Sequence, residues 1–189
     1  MKNIFKIIII HGSYGTPEEN WFPWLSQEME QKGFTTIRPK LPTPENQNLK
    51  EWIKEFKNQV GELSPNTILV GHSLAPAFIL NVLQTELVSV YATVLVSPFI
   101  RKLGLPDFDK VNESFICGPF NWGKIRENAG KIITLGGDDD PYVPIEAMYE
   151  VSSFLGTKLI LINKGGHLNT SAGYSTFPLL REKILEMFP

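Results

Sequence analysis

Apolar residues follow two alternating patterns along the chain. Short runs rich in β-branched residues are typical of buried parallel strands, and longer stretches with apolar residues three or four positions apart are typical of amphipathic helices. The strand-like runs are Ile4–Ile10, Phe34–Arg38, Thr67–Val70, Val88–Ser97, Lys131–Leu135 and Lys158–Ile162. The helix-like stretches begin after Pro17 and near residues 49, 74, 144 and 176. About six strands that alternate with helices predict a three-layer, doubly wound α/β fold with a mainly parallel sheet.

The pattern breaks down between Pro98 and Asn128, where prolines and glycines interrupt a segment that still contains several aromatic residues. This loss of periodicity predicts a loop. Two interpretations of its aromatic residues remain open. They are buried because the loop is tucked onto the core, or they form a small lid that lines a substrate cleft.

Length and composition predict one soluble globular domain that covers residues 1–189. The chain is 42% hydrophobic and 20% charged, which is ordinary for such a domain. Its formal net charge of -2 favours neither a nucleic acid nor an anionic membrane as a partner. The only cysteine, Cys117, excludes an internal disulfide and fits the cytoplasm as the location. We expect it to be a small buried apolar residue.

The amino terminus is basic and then apolar, as in a secretory leader. Its uninterrupted apolar run, Ile7–Ile10, is shorter than the roughly 7 to 15 residues of a leader's apolar region. We therefore expect a buried first strand instead. No uncharged apolar stretch approaches the roughly 18 residues that would span a bilayer, so the sequence does not predict a membrane protein.

A candidate nucleophile, Ser73, lies in the sequence Gly71-His72-Ser73-Leu74-Ala75, directly after a strand-like run and before a helix-like stretch. A Gly-x-Ser-x-Gly/Ala sequence alone is a weak signal. Between a strand and a helix, however, it predicts the sharp turn that holds the nucleophilic serine of α/β-hydrolases at the carboxyl edge of the sheet.

A serine nucleophile needs a base, and the base needs an acceptor that orients it. The chain has three histidines. His72 adjoins the serine and is expected to point away from it, and His11 ends the first strand. His167 follows the last strand, where a parallel sheet places its ligand-contacting loops, and is therefore the predicted base.

The acceptor for this base is expected among Asp138, Asp139 and Asp140, which follow the preceding strand. Any of the three gives the chain order Ser, Asp, His that α/β-hydrolases have. We prefer Asp140, because the sequence Asp-Pro-Tyr-Val-Pro fits the Asp-x-x-Val-Pro turn that carries the acid in many such enzymes. Asp138 is the alternative, and it would otherwise hydrogen-bond to the backbone of its own turn.

Backbone amides are expected to bind the oxyanion of a tetrahedral intermediate. The amide of Leu74 directly follows the nucleophile, and the second amide should come from Ser13 in the loop after the first strand. Apolar residues that adjoin the catalytic loops in sequence would line a substrate cleft. These residues are Tyr14, Phe99, Trp122, Tyr142 and Leu168.

Together these motifs resemble those of the small cap-less serine hydrolases typified by retinoblastoma-binding protein 9 and the YdeN-type proteins. The segments that carry the resemblance span nearly the whole chain and are Gly71–Ser73, Tyr91–Ser97, Trp122–Ile125, Asp139–Pro141 and Gly166–Asn169. The resemblance implies a minimal α/β-hydrolase fold without a large cap domain, and hydrolysis of small esters or amides. It also implies a triad of Ser73, Asp140 and His167.

The chain departs from this family's pattern at two places. Ala75 stands where a glycine is usual, and alanine is still small enough for close helix–strand packing. The Leu-x-Cys-x-Glu segment that recognises the retinoblastoma protein has no counterpart around Gly61–Ser64, which contains no cysteine. The retinoblastoma protein is therefore not predicted as a partner.

The leading hypothesis is a serine hydrolase that cleaves small carboxylic esters or amides through an acyl-enzyme, without a metal or organic cofactor. The alternative is a hydrolase fold that serves as a binding or scaffold module with little turnover, since fold alone does not establish chemistry. A metallohydrolase that uses the histidines and aspartates is disfavoured, because the chain has no His-x-His or His-Glu-x-x-His spacing.

Overall fold

The computed structural model describes residues 4–188 and contains a sheet of six parallel strands. The strands are β1 (Lys6–Ile10), β2 (Thr35–Ile37), β3 (Thr67–His72), β4 (Ala92–Val96), β5 (Lys131–Gly137) and β6 (Leu159–Ile162). The α-helices are α1 (Phe22–Gln31), α2 (Leu49–Val60), α3 (Ala75–Leu83), α4 (Pro106–Ile116), α5 (Trp122–Asn128), α6 (Ile145–Leu155) and α7 (Pro178–Leu185). The predicted α/β fold with about six strands is confirmed.

The strand order places the first strand inside the sheet rather than at its edge. The order is β2-β1-β3-β4-β5-β6, with Ile9 of β1 opposite Val70 of β3. The chain therefore winds outward from β1 in one direction and returns on its other side through β3. In open parallel sheets, ligands bind at the carboxyl ends of the strands where this reversal occurs. That place lies beyond Ile10 and His72.

Apolar side chains cover the sheet on both faces. Along β1, Ile8 and Ile10 belong to one buried cluster, and Ile7 and Ile9 belong to the other. Successive side chains of a strand point to opposite faces, so an uninterrupted apolar run is what a strand covered on both sides requires. The first cluster packs the sheet against α2, α3 and α6, and the second packs it against α1 and α7.

Helix ends follow from local sequence signals. The side chain of Asn48 accepts a hydrogen bond from the Glu51 amide and caps α2, which ends at Gly61 with a φ of 73°. The helix expected after Pro17 begins only at Phe22, with Pro23 in its first turn, where a missing amide proton costs nothing.

In the described part of the chain, no helix is long and apolar enough to cross a membrane.

The loop predicted between Pro98 and Asn128 is wrong, because this segment contains α4 and α5. The buried positions of α4 have helical spacing, but two of the four, Asp109 and Asn112, are polar. A search for apolar periodicity therefore misses the helix. The Asp109 carboxylate accepts hydrogen bonds from three successive backbone amides, residues 103–105, and so fixes the chain that enters α4.

Cys117, at the carboxyl end of α4, is exposed. The expectation of a buried apolar cysteine is therefore wrong. It failed for the same reason as the loop prediction, since the burial of a residue next to α4 depends on which face that helix turns to the core.

Candidate active site

Loops after β1, β3, β5 and β6 meet at the carboxyl edge of the sheet and border a cleft of about 810 Å³. Ser73 and His167 both line this cleft, together with Ser13 from the loop after β1 and Tyr142 from the loop after β5. The structure thus brings the sequence-predicted nucleophile and base to one cavity, at the edge where parallel sheets bind their ligands.

Ser73 occupies a strained turn between β3 and α3. Its φ is 63°, a value that L-residues rarely adopt, and its amide donates to Val96 O at 2.9 Å. A Cβ added at Gly71 would lie 2.6 Å from Ile79 Cδ1, and one at Gly12 would lie 2.8 Å from Ser73 Cβ. Only glycine fits at both positions without a shift. Ala75, where the sequence departs from the usual glycine, is fully buried at the start of α3.

His167 and Asp140 form a hydrogen-bonded pair. His167 Nδ1 lies 2.8 Å from Asp140 Oδ2, and the Asp140 side chain is 1% exposed. Asp140 Oδ1 accepts hydrogen bonds from the amides of Tyr142 at 2.9 Å and Val143 at 3.0 Å. Burial alone would raise the pKa of Asp140, but His167 and these amides outweigh burial, so the pKa lies below its ordinary value.

The neighbouring aspartates contact other atoms of the loop that carries the histidine. Asp138 Oδ1 accepts from the Lys164 amide at 2.8 Å, and Asp139 Oδ1 accepts from the Gly166 amide at 2.7 Å. Both carboxylates therefore hold the loop after β6, while Asp140 is the aspartate that contacts the imidazole of His167. Sequence alone left the choice between Asp140 and Asp138 open.

His72 contacts the candidate base in a way that its sequence position did not indicate. Its Nε2–H donates to the backbone carbonyl of His167 at 2.8 Å, and the two rings lie 4.7 Å apart. Burial, together with the smaller effect of the nearby His167, lowers the pKa of His72 from 6.5 to about 3. His72 is therefore a neutral donor that fixes the backbone of His167. This contact joins residues 95 positions apart, so no local sequence pattern reveals it.

The amides expected to bind an oxyanion lie on either side of Ser73, the candidate nucleophile. Outside helices and strands, none of the backbone hydrogen bonds in residues 4–188 is donated by Ser13 or by Leu74. Backbone acceptors in the described chain therefore leave both amides unengaged. Leu74 directly precedes α3 with a φ of -68°, so its amide lies at the positive end of that helix.

His11 orients the peptide that carries the Ser13 amide. The Leu41 amide donates to His11 Nε2 at 3.0 Å, which requires the ring proton to sit on Nδ1. Nδ1–H then donates to Gly12 O at 2.8 Å. Because the carbonyl and amide of a trans peptide point in opposite directions, this bond sets the direction of the Ser13 N–H. Burial lowers the pKa of His11 and favours this neutral form.

The Ser13 side chain ties the same loop to α4. Ser13 Oγ donates to Asn112 Oδ1 at 2.5 Å, and Gln47 Nε2 donates to Asn112 Oδ1 at 2.6 Å and to Ser13 Oγ at 2.9 Å. Sequence reasoning missed Gln47 and Asn112. Both are buried polar residues on separate elements, and nothing in the sequence signals their meeting.

The predicted cleft residues divide into two groups. Tyr14 and Tyr142 line the cleft and are about half exposed. Phe99 and Leu168 have no exposed surface, and Trp122 is stacked on another aromatic ring away from the cleft. Sequence adjacency to a catalytic loop therefore did not decide which aromatic residues face the cleft.

The segment interpreted as either a buried loop or a lid supplies part of the cleft surface. Leu105 and Phe108, at the start of α4, line the cleft, whereas Phe115 at its other end is fully buried in the core. The segment thus contributes residues both to the core and to the cleft surface. In residues 4–188, no group of three or more histidine, cysteine or acidic side chains is arranged to hold a metal ion.

Comparison with known proteins gives consistent matches over nearly the full length. The model of the serine hydrolase family matches residues 7–186. YdeN of Bacillus subtilis is 27% identical over 185 residues, which are 97% of this chain and 96% of that protein. Serine hydrolase RBBP9 of Rattus norvegicus is 28% identical over 182 residues, 95% of each chain.

The solved structure of the ydeN gene product has the same fold. It superposes with a TM-score of 0.90 at 26% sequence identity, covering 97% of this chain and 98% of that one. The sheet order, the turn at Ser73 and the match to the family model agree with one another. This chain belongs to the serine hydrolase family and has its α/β-hydrolase fold.

Proposed function

We propose that this protein hydrolyses small carboxylic esters or amides through an acyl-enzyme on Ser73, with His167 as the general base and Asp140 as the residue that orients it. The observation that carries the proposal is the 2.8 Å contact between His167 Nδ1 and Asp140 Oδ2 beside a cleft that Ser73 also lines. The contact commits Nδ1–H to the carboxylate and leaves Nε2 as the basic nitrogen.

In the acylation step, Ser73 Oγ attacks the acyl carbon and its proton passes to His167 Nε2. The carbonyl oxygen becomes an oxyanion that the Ser13 and Leu74 amides receive. Fixed donors of this kind contribute on the order of 3 kcal/mol each to transition-state stabilisation. The tetrahedral intermediate then breaks its bond to the leaving oxygen or nitrogen, which takes the proton from His167.

Deacylation repeats these steps with water as the nucleophile. His167 removes a proton from the water, which attacks the acyl carbon of the Ser73 ester, and the Ser73 oxygen leaves with the proton that His167 returns. Ionised Asp140 stabilises the imidazolium in both steps without taking a proton itself. Its lowered pKa keeps it ionised at neutral pH.

The size of the cleft supports a small substrate. Its volume of about 810 Å³ falls within the roughly 300 to 1,000 Å³ of small-molecule sites.

An amine is a poorer leaving group than an alcohol and depends more strongly on protonation by His167. We therefore expect esters to be cleaved faster than the matching amides.

Labelling with a fluorophosphonate probe tests the nucleophile, and turnover of p-nitrophenyl esters of graded acyl length tests the reaction. We expect the wild type to be labelled and to turn over short esters, and Ser73→Ala to lose labelling and about 10⁴-fold or more in kcat. Ser171→Ala removes another serine that lines the same cleft and should leave both readouts nearly unchanged. Labelling of Ser73→Ala, or equal turnover by it, would overturn the proposal.

A further inference from the structure

The charged residues that line the cleft are of one sign. Glu18 and Glu19 both contribute to its surface, and no lysine or arginine of residues 4–188 does. The histidine beside the nucleophile, His72, is neutral because burial lowers its pKa to about 3. A substrate that enters this cleft therefore meets two carboxylates and no lysine or arginine on the cleft surface.

Glu18 and Glu19 differ in whether the protein supplies a counter-charge. Glu18 pairs with Arg38 at 3.0 Å, and its side chain is 70% exposed. Glu19 is half-buried, and the ion pairs of residues 4–188 include none to its carboxylate. A partly desolvated carboxylate without a cation is unfavourable unless something else compensates its charge.

The Glu19 carboxylate is nevertheless held in a fixed place. Asn20 Nδ2 donates to Glu19 Oε1 at 3.4 Å, and the backbone of Thr16 lies close enough to lower the pKa of Glu19. A Cβ at Gly15 would lie 2.5 Å from Glu19 Oε1 and 3.1 Å from Gly12 O. The Glu19 carboxylate thus packs against Gly15, and Ser73 packs against Gly12 of the same turn. Burial raises the pKa of Glu19 against the effect of Thr16, as expected for a charge with no cationic partner.

The aromatic residues of the cleft suit the same kind of ligand group. Tyr14, Phe108 and Tyr142 line the cleft, and the ring centroids of Tyr14 and Phe108 lie 6.5 Å apart. An ammonium group is attracted to the faces of aromatic rings as well as to carboxylates. A phosphate or a carboxylate on the substrate would find no lysine or arginine among the cleft-lining residues.

We propose that Glu19 is a specificity-determining residue that binds an ammonium group of the substrate, so that the cleft selects cationic esters or amides over neutral and anionic ones. This inference rests on the hydrolysis proposed at Ser73. It assigns to Glu19 the binding of a substrate group distant from the scissile bond, and it gives Glu18 no such part because Arg38 already pairs with it.

Two p-nitrophenyl esters of equal shape test this assignment. The 4-(trimethylammonio)butanoyl ester carries a cation, and the 5,5-dimethylhexanoyl ester has a carbon in place of that nitrogen. We expect the wild type to show a kcat/KM roughly tenfold higher for the cationic ester, the size expected of one partly buried charged contact. The ratio should fall towards one as ionic strength is raised.

Glu19→Gln removes the charge and keeps an acceptor oxygen for the Asn20 side-chain amide. We expect it to abolish the preference by lowering kcat/KM for the cationic ester, with the neutral ester unaffected. Glu45→Gln is the matched control, since it makes the same change in net charge at an exposed position outside the cleft, and it should keep the preference. Thermal unfolding of each variant shows whether it is folded.

Each outcome separates the two proposals. If neither ester is cleaved by the wild type in a Ser73-dependent way, the proposed function fails, and this inference fails with it. If both esters are cleaved equally well by the wild type, hydrolysis stands and the role of Glu19 is overturned. An equal loss on both esters in Glu19→Gln also overturns it, because Glu19 would then only support the turn at Thr16. The wild-type ratio decides the matter even if Glu19→Gln does not fold.

Discussion

The two sides of the cleft are held together in different ways. One side, called here the catalytic edge, comprises residues 71–74, 138–143 and 163–168. It is fixed by hydrogen bonds from backbone amides to carboxylates and by close backbone packing. A Cβ at Gly137 would lie only 2.1 Å from Gly166 O. The cleft wall, residues 105–116, is fixed by the side chains of Asp109 and Asn112 and presents the 40% exposed Leu105 at its rim.

This difference separates the residues proposed to carry out the reaction from those that shape the cleft and would select the substrate. Backbone positions at the catalytic edge leave little room for a changed side chain, so the geometry of the proposed triad is narrowly determined. The cleft wall depends on a few side-chain hydrogen bonds, so its surface can change while the edge stays intact. We therefore expect substitutions at the edge to affect kcat, and substitutions in the wall to affect KM and stability.

The largest expected effect is that of Asp140→Asn at the catalytic edge. The amide keeps the size of the carboxylate but favours the wrong tautomer of His167 and cannot stabilise its charged form. We expect kcat to fall by about 10⁴-fold with little change in KM, as measured with a p-nitrophenyl ester.

Asp138→Asn is the control for this prediction, because an asparagine oxygen can still accept from the Lys164 amide. It should lower kcat only severalfold. Equal losses in the two variants would contradict the assignment of Asp140 as the orienting residue.

Gly12→Ala is expected to have the next largest effect. The new Cβ would lie 2.8 Å from Ser73 Cβ and 3.3 Å from Ser73 Oγ, so Ser73 must shift. A displacement on the order of 1 Å costs about 10²-fold in rate, which we expect in kcat. Gly123→Ala, where the nearest atom to the new Cβ lies 3.5 Å away, should leave kcat unchanged. If both variants retain full activity, the edge is more tolerant than its packing indicates.

His72 should make the stability of the edge depend on pH. The unfolded chain takes up a proton on His72 near pH 6.5, and the folded chain takes it up only near pH 3. The unfolded state therefore binds more protons between these values, and the free energy of unfolding falls as the pH is lowered through this window. Between pH 7.5 and pH 5.0 this group alone should remove about 2 kcal/mol.

Urea unfolding at the two pH values measures this effect, with His72→Gln as the comparison. Glutamine retains an amide donor for the His167 carbonyl but does not titrate, so the variant should lose about 2 kcal/mol less than the wild type. His11 is present in both proteins and cancels from the difference. Equal losses would mean that His72 is not held neutral in the folded state.

The smallest expected effect belongs to the cleft wall. Asp109→Asn keeps one acceptor oxygen. Its NH2 group replaces the other carboxylate oxygen, which in the wild type also accepts hydrogen bonds from backbone N–H groups. We expect the free energy of unfolding to fall by about 1 to 2 kcal/mol and KM to rise severalfold while kcat is kept. Asp107→Asn, exposed on the same helix, should change neither strongly. A drop in kcat with unchanged KM would show that the wall takes part in the reaction itself.

Sequence patterns predicted the elements whose determinants are local. The strand that leads to Ser73 is buried on both faces, and its glycine is required where α3 packs, so the turn was visible from a few adjacent residues. The helix α4 was not, because polar Asp109 and Asn112 occupy its buried face. Their burial depends on partners elsewhere in the chain, which apolar periodicity cannot detect.

In the candidate site, too, local sequence patterns did not reveal contacts between distant segments of the chain. The chain order Ser, Asp, His predicted which strand ends should meet, and the structure brings Ser73 and His167 to one cleft. The bond from His72 to the His167 carbonyl and the meeting of Asn112 with Ser13 depend on how distant segments pack. Contacts of this kind follow from the folded backbone and leave no motif in the sequence.

The three consecutive aspartates after β5 have a consequence for changes in chain length. Each binds a different group of the loop after β6: the Lys164 amide, the Gly166 amide and the His167 ring. Deleting any one of them yields the same shortened sequence, in which two aspartates remain for three contacts. A one-residue deletion here would therefore be as damaging as loss of the acid itself, although an aspartate would still stand before the proline. In this run, spacing carries information that residue identity does not.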